Sequence, residues 1–240
     1  MSTATDHAPG PPGEPAAPLV AAALVVAASV IVAAVLALLV HHGVGFVRFD
    51  RRGLHLVRTH DTPMLVDASR ALADLGTLQV LVVLALLAAV ALRILRVHPV
   101  LCAVPLASLL LTGALVEMTK LAIPRASPNT YFRWGVERGI GSSFPSGHAA
   151  DATALAVGVA IVVGAVLVHR PAQRVVVGAA AVAVSIAAGV GRLVLGVHWP
   201  TDVLAGWAIG LGTAVVVATA GVLATQRSTN APADRVDARA

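Results

Sequence analysis

A single cysteine, Cys102, stands in the whole chain, so no internal disulfide can form. It lies in an apolar run, where it is expected to pack in a core. Charge is scarce as well. Asp, Glu, Lys and Arg make up 12% of the 240 residues, against roughly a quarter in a soluble domain. With 58% hydrophobic residues and a mean hydropathy of +0.86, that shortage excludes an ordinary soluble domain. It marks a membrane protein of one-domain length. Metal-ligand spacing is missing too: His41-His42 and His55 to Asp61 come without a carboxylate cluster, so no metal and no other cofactor is expected. The first 18 residues hold no Lys or Arg. The apolar run after them therefore lacks the basic flank of a secretory signal and reads as a retained membrane helix.

The charge that is present is informative. The formal net charge of +5 comes from few residues, most of them beside apolar runs. Anchoring in an anionic lipid bilayer and binding of an anionic substrate fit that placement; nucleic-acid binding does not.

Six apolar runs follow one another, at 19–41, 76–95, 99–120, 147–168, 175–191 and 200–223. Each is near the ~20 residues needed to cross ~30 Å of hydrocarbon. The expected fold is all-α: a polytopic membrane protein with six transmembrane helices in one bundle. Residues 19–223 form the domain, between disordered tails at 1–18 and 224–240. The polar stretch 42–70 is expected to be a loop with short surface helices, and Asp67, Arg70 and Asp74 to begin an interfacial helix before the second span. Tyr131 to Trp134 interleaves aromatics with charge, which suits the headgroup layer. That segment is expected to border the path by which a lipid reaches the site.

Parity makes the chemistry legible. Six crossings put both tails on one side, with the turns at 93–98 and 170–174. The loops 120–146 and 192–199 share the other side. Arg93, Arg96, Arg170 and Arg174 in two short turns favour cytoplasmic tails and an extracytoplasmic site. Three segments with reactive side chains thus meet at one face. In the first, Lys120 supplies a compact charge and Arg125 a planar fork suited to phosphoryl oxygens. In the second, Pro145-Ser146-Gly147-His148 opens an apolar run. Its hydroxyl and its helix-start N–H groups can wrap an anion, and His148 can hold a proton for a leaving oxygen. Asp151 shares the helical face of His148, where it either tunes that ring or pairs within the bundle. In the third, Arg192 adds a cation, and Asp202 can fix one nitrogen of His198 so that the other attacks. Two bases, one orienting carboxylate and three cations suit phosphoryl transfer, which asks mainly for positioning and electrostatic stabilisation. Attack by histidine would give a phosphohistidine that water then hydrolyses. Trp199 and Trp207 are expected to pack or to lie at the interface, and Gly206 with Gly210 suggests close helix contact.

These motifs resemble those of the type 2 phosphatidic acid phosphatase superfamily, the integral-membrane lipid phosphate phosphatases, over roughly residues 25–220. The family pattern is Lys-x6-Arg-Pro, Pro-Ser-Gly-His and Ser-Arg-x5-His-x3-Asp. The second motif is complete at 145–148, and the third is Gly191-Arg192, His198 and Asp202, with only its leading Ser replaced. In the first, Lys120 matches, Ser127 stands where the family has Arg, and Pro128 follows. Arg125 occupies a second Arg position that many members carry.

The resemblance implies that Ser146, Gly147, Arg192, Lys120 and Arg125 hold phosphate. It also implies that His198 is the nucleophile, Asp202 its orienter and His148 the general acid, with Asp151 and Ser127 beside them. The expected function is hydrolysis of a membrane lipid phosphate, without a metal. The substrate would be a polyprenyl diphosphate, phosphatidic acid or phosphatidylglycerol phosphate. A second reading is a non-catalytic phosphate-lipid-binding or transport protein with a decayed first motif. A haloperoxidase relative is a third, and six spans argue against it.

Overall fold

The structure, a computed structural model, describes residues 16–43, 47–129 and 141–230. Tyr131 to Trp134 and the outer parts of both tails lie outside the described residues. The chain is all-α there, in the order α1 (Ala16–His41), α2 (Val47–Thr59), α3 (Pro63–Leu75), α4 (Leu78–Ile94), α5 (Pro99–Ala122), α6 (Gly147–Val166), α7 (Pro171–Val194) and α8 (Pro200–Asn230).

Local chemistry sets the helix starts. α3, α5, α7 and α8 each begin at a proline, whose missing N–H costs nothing in a first turn. The Thr62 hydroxyl accepts from Leu65 N (3.2 Å) to cap α3, and His98 Nδ1 accepts from Val100 N (3.3 Å) to cap α5.

Five of the helices are long and apolar enough to cross a membrane individually. α4 has 17 residues, only roughly 26 Å at ~1.5 Å per residue. It passes the same test only together with α3, from which it is bent by 65°. α3 and α4 thus stand where the sequence places an interfacial helix start and the second span. Helix extends into both stretches expected as tails. α1 already begins at Ala16, because alanines favour helix and Pro18 lies in its first turn. α8 continues to Asn230, with the Thr225 and Ser228 hydroxyls turned back onto carbonyls of the preceding turn.

α6 lies at the centre, packed against α4, α5, α7 and α8, while α1 lies against α8. Small residues permit this. A Cβ on Gly206 would stand 2.6 Å from Ser146 O, and one on Gly210 would stand 2.3 Å from Ala150 O. The two glycines therefore bring α8 onto the first turns of α6. Trp207 fills the space over Gly189 and donates from Nε1 to Ser185 O (2.8 Å), tying α8 to α7. Within the bundle the Thr112 and Thr213 hydroxyls bond to each other, so neither faces hydrocarbon unpaired. Cys102 is buried among Leu92, Val97, Leu101, Val104, Val162 and Ala218, at the end of the bundle away from the three reactive segments. Large apolar side chains of α1 and α7, such as Leu24, Ile31, Val175 and Val176, point outward, as lipid-facing helices require.

Candidate active site

The three segments converge at one end of the bundle. The C-terminal turn of α5 brings Lys120, the N-terminus of α6 brings Ser146 to His148, and the α7–α8 corner brings Arg192 to Asp202. Backbone bonds hold them in register. Ser146 N donates to Asp202 O (3.0 Å), and Ser143 N donates to Arg125 O (2.8 Å). A Cβ on Gly147 would stand 3.7 Å from Lys120 Nζ, which sets that ammonium beside the first turn of α6. Arg192, His198 and Lys120 are all near enough to His148 to act on its charge.

The two imidazoles are held by carbonyls, which can only accept. His198 Nδ1 lies 2.7 Å from Ser143 O, so Nδ1 carries the proton and Nε2 keeps a lone pair. Asp202 Oδ2 is 3.6 Å from the same Nδ1, close enough to attract a positive ring but beyond a hydrogen bond. The carboxylate expected to fix this tautomer shares the task with a backbone carbonyl that no side-chain pattern announces. His148 Nε2 donates to Ala73 O (3.2 Å), at the end of α3. Glycine at residue 76 eases the approach of the bend between α3 and α4: a Cβ there would stand 3.0 Å from the His148 ring, a tight contact.

Ser146 is the N-cap of α6, fully buried, and its hydroxyl neither caps the helix nor has any other partner. It lies beside helix-start N–H groups that have no intrahelical acceptor. A buried donor left this way costs about 1–3 kcal/mol, and an anion at the helix start would supply its partner.

Arg125 is placed differently from its sequence expectation. Nη2 donates to Asp50 Oδ2 (2.5 Å), and Nη1 donates to Thr201 Oγ1 (2.7 Å) and to Asp202 Oδ1. The guanidinium also lies over the Trp199 ring, 5.4 Å from its centroid. Both terminal nitrogens are thus directed at carboxylates, not held out toward a phosphate. Asp202 is completely buried, receiving Arg125 on Oδ1 and Trp199 N (2.8 Å) on Oδ2. Asp50 accepts in addition from Thr201 N (3.0 Å) and Thr201 Oγ1 (2.9 Å). Trp199 Nε1 donates to Ala126 O (3.0 Å), and Ser127 is buried nearby in the sequence.

Sequence reasoning missed Asp50. A signal existed: Asp50 and Leu54 lie one turn apart on the buried face of α2, amid exposed Arg48, Arg51 and Arg52. An acid on the apolar face of an amphipathic helix needs a buried cation, and Arg125 is that cation. Ser69 was also missed. Its hydroxyl lies 3.7 Å from where a residue-191 Cβ would stand, next to the position where Gly191 lacks a side chain. Asp151 makes no bond to His148; its Oδ1 is buried without a partner.

Two curated relatives are similar over part of the chain. The lipid A 1-phosphatases of Rhizobium etli and Rhizobium johnstonii are each 33% identical over 123 residues, 47% of this chain. The match covers 48% and 46% of those proteins, so the chain spans about half the length of the curated relatives it matches. Among solved structures, the transmembrane PAP2-type phosphatidylglycerolphosphate phosphatase of Bacillus subtilis shares the fold with a TM-score of 0.69 at 22% identity. That likeness covers 82% of this chain and 96% of the other. LpxE of Aquifex aeolicus shares it with a TM-score of 0.57 at 22% identity, over 71% of this chain and 95% of the other. The family model of the PAP2 superfamily matches residues 102–225, from within α5 to within α8, and so takes in all three converging segments; the chain belongs to the PAP2 superfamily.

Proposed function

We propose that this protein hydrolyses a phosphate ester or diphosphate of a membrane lipid through a phosphohistidine. The observation that carries the reading is the buried, partnerless Ser146 hydroxyl at the start of α6, two residues before His148, whose ring has Arg192, His198 and Lys120 near it. That set matches what a bound phosphoryl group needs: donors at a helix start, flanking cations and a nucleophile with its lone pair exposed by tautomer.

His198 Nε2 forms a bond to phosphorus, and the bond from phosphorus to the ester oxygen breaks. His148, with Nε2–H kept on Ala73 O, gives the proton of Nδ1 to the departing alkoxide. Water then attacks phosphorus, the P–N bond breaks, His148 takes the water proton, and inorganic phosphate leaves. Lys120 and Arg192 neutralise charge on the equatorial oxygens, and Ser146 with the Gly147 N–H holds one of them. Arg125 acts through Asp202: the Asp50–Arg125–Asp202 chain holds the carboxylate that faces His198 Nδ1.

The substrate reading draws on the relatives, which are named for removing phosphate from lipid A and from phosphatidylglycerolphosphate. Phosphatidic acid and polyprenyl diphosphate belong to the same chemical class. The site face is extracytoplasmic in this reading, because Arg93, Arg96, Arg170 and Arg174 lie in the opposite turns. The test is phosphate release from a panel of lipid phosphates in detergent with EDTA present. Release by wild type that vanishes in His198→Ala supports the enzyme. Lipid binding without turnover on any substrate replaces it with a phosphate-lipid-binding or transport role.

A further inference from the structure

Beside the phosphate-binding turn lies a cleft of about 320 Å³, lined among others by Gly76, Gly113, Glu117, Lys120, His148 and Asp151. Its size is at the lower end of the ~300–1,000 Å³ typical of small-molecule sites. Asp151 is the unexplained member. It is 9% exposed, it lies within a membrane-spanning helix, and its Oδ1 has no hydrogen-bond partner. The carboxylate sits between two glycines: Oδ1 is 4.0 Å from a Cβ position at Gly113, and Oδ2 is 4.0 Å from one at Gly147. No side chain from either residue covers it. Lys120 makes its hydrogen bond to Glu117 Oε1 at 2.7 Å, and Asp151 Oδ1 receives none from it. An intramembrane acid is costly and marks function by default. A carboxylate repels phosphate, so it is no ligand for the phosphoryl group itself. It is an acceptor awaiting a donor.

We propose that this cleft binds the alcohol portion of the substrate, and that Asp151 accepts a hydrogen bond from a hydroxyl close to the phosphate, so that the enzyme prefers esters of polyols such as a glycerol or sugar headgroup over esters of a plain hydrocarbon alcohol. The proposal rests on the phosphatase reading. The geometry suits it. Asp151 is three residues past His148 on one helical face, roughly 4.5 Å along the axis. A hydroxyl two or three bonds from the leaving oxygen spans that distance. A polyprenyl diphosphate carries no such hydroxyl and would leave the acid unpaired and desolvated, which lowers its transition-state binding.

A matched pair of lipids tests this in detergent micelles: 1-acyl lysophosphatidic acid, with a hydroxyl two carbons from the phosphate ester oxygen, and its 2-deoxy analogue. Wild type is expected to favour the hydroxyl lipid in kcat/KM by about tenfold, the loss set by one buried hydrogen bond whose partner is left unpaired. In Asp151→Ala the ratio is expected to fall below about threefold. Folding is checked by thermal unfolding, where removal of an unpaired buried acid is expected to leave Tm at or above that of wild type. Glu117→Gln, which acts through Lys120, is expected to lower both rates alike and keep the ratio. Equal rates on the two lipids in wild type, or an unchanged preference in Asp151→Ala, overturn the subsite and leave the phosphatase standing. No phosphate release from any lipid phosphate overturns both.

Discussion

Replacing Arg125 separates its two readings, phosphate clamp or structural hub. Asp50 is 1% exposed and Asp202 fully buried, and Arg125 is the cation that joins them. Removing one partner of a buried ion pair costs about 3–5 kcal/mol. Arg125→Ala strands two carboxylates, not one. Both keep backbone donors, however: Thr201 N for Asp50 and Trp199 N for Asp202. Those bonds offset part of the desolvation, so the expected loss is about 4 kcal/mol, near the value for one pair and not twice it.

Asp50→Asn in the Arg125→Ala background removes one of the stranded charges and should recover about half of that loss. A double-mutant cycle between the two positions, read by unfolding in micelles, is expected to give a coupling of about 1.5 kcal/mol or more. The activity readout is equally specific. Asp50 never meets phosphate, yet Asp50→Asn should lower kcat by loosening Asp202, with KM moving less than about threefold. If Arg125→Ala stays within about 1 kcal/mol of wild type, or the two substitutions add without coupling, the network does not hold Asp202. If Arg125→Ala raises KM steeply while Asp50→Asn leaves kcat alone, the guanidinium is a phosphate ligand after all.

Other outcomes follow from the same geometry. Rapid acid-free quenching of turnover should trap phosphate on His198, visible as a mass increase on the peptide containing it and lost in His198→Ala. Ser146→Ala should lower kcat/KM by about tenfold, the worth of one charge-assisted hydrogen bond, without loss of Tm, since that hydroxyl bonds nothing in the protein. Gly210→Ala puts a Cβ 2.3 Å from Ala150 O, so α8 must move off α6; a loss of about 2 kcal/mol is expected, together with loss of turnover because Ser146 moves with it. Single cysteines at exposed Arg52 and Arg170 should label from opposite sides of the membrane, with Arg52→Cys reactive from outside in intact cells; labelling of both from one side would break the parity argument.

Much of the architecture was legible without coordinates, for a physical reason. Hydrocarbon admits only helices with satisfied backbones, so each apolar run of the right length had to be one, and prolines and polar turns marked the ends. The number of crossings then dictated which segments share a face. That reasoning located Lys120, Ser146, His148, Arg192 and His198 around one point, and the structure brings them together. The interfacial helix start expected at Asp67 to Asp74 and the span expected at 76–95 correspond to α3 and α4, and only the 65° bend between them had no sequence signal.

Which partner each polar group takes was decided in three dimensions. Spacing showed that Arg125 and Asp202 reach the same face, but not that Asp50, from an interfacial helix outside every motif, would claim the guanidinium. Spacing likewise paired Asp202 with His198, while the fold gave Nδ1 to the Ser143 carbonyl. Hydropathy and parity act through composition along the chain, and one-dimensional patterns carry them. A hydrogen bond depends on ångström distances between residues remote in sequence, and only the packed bundle sets those.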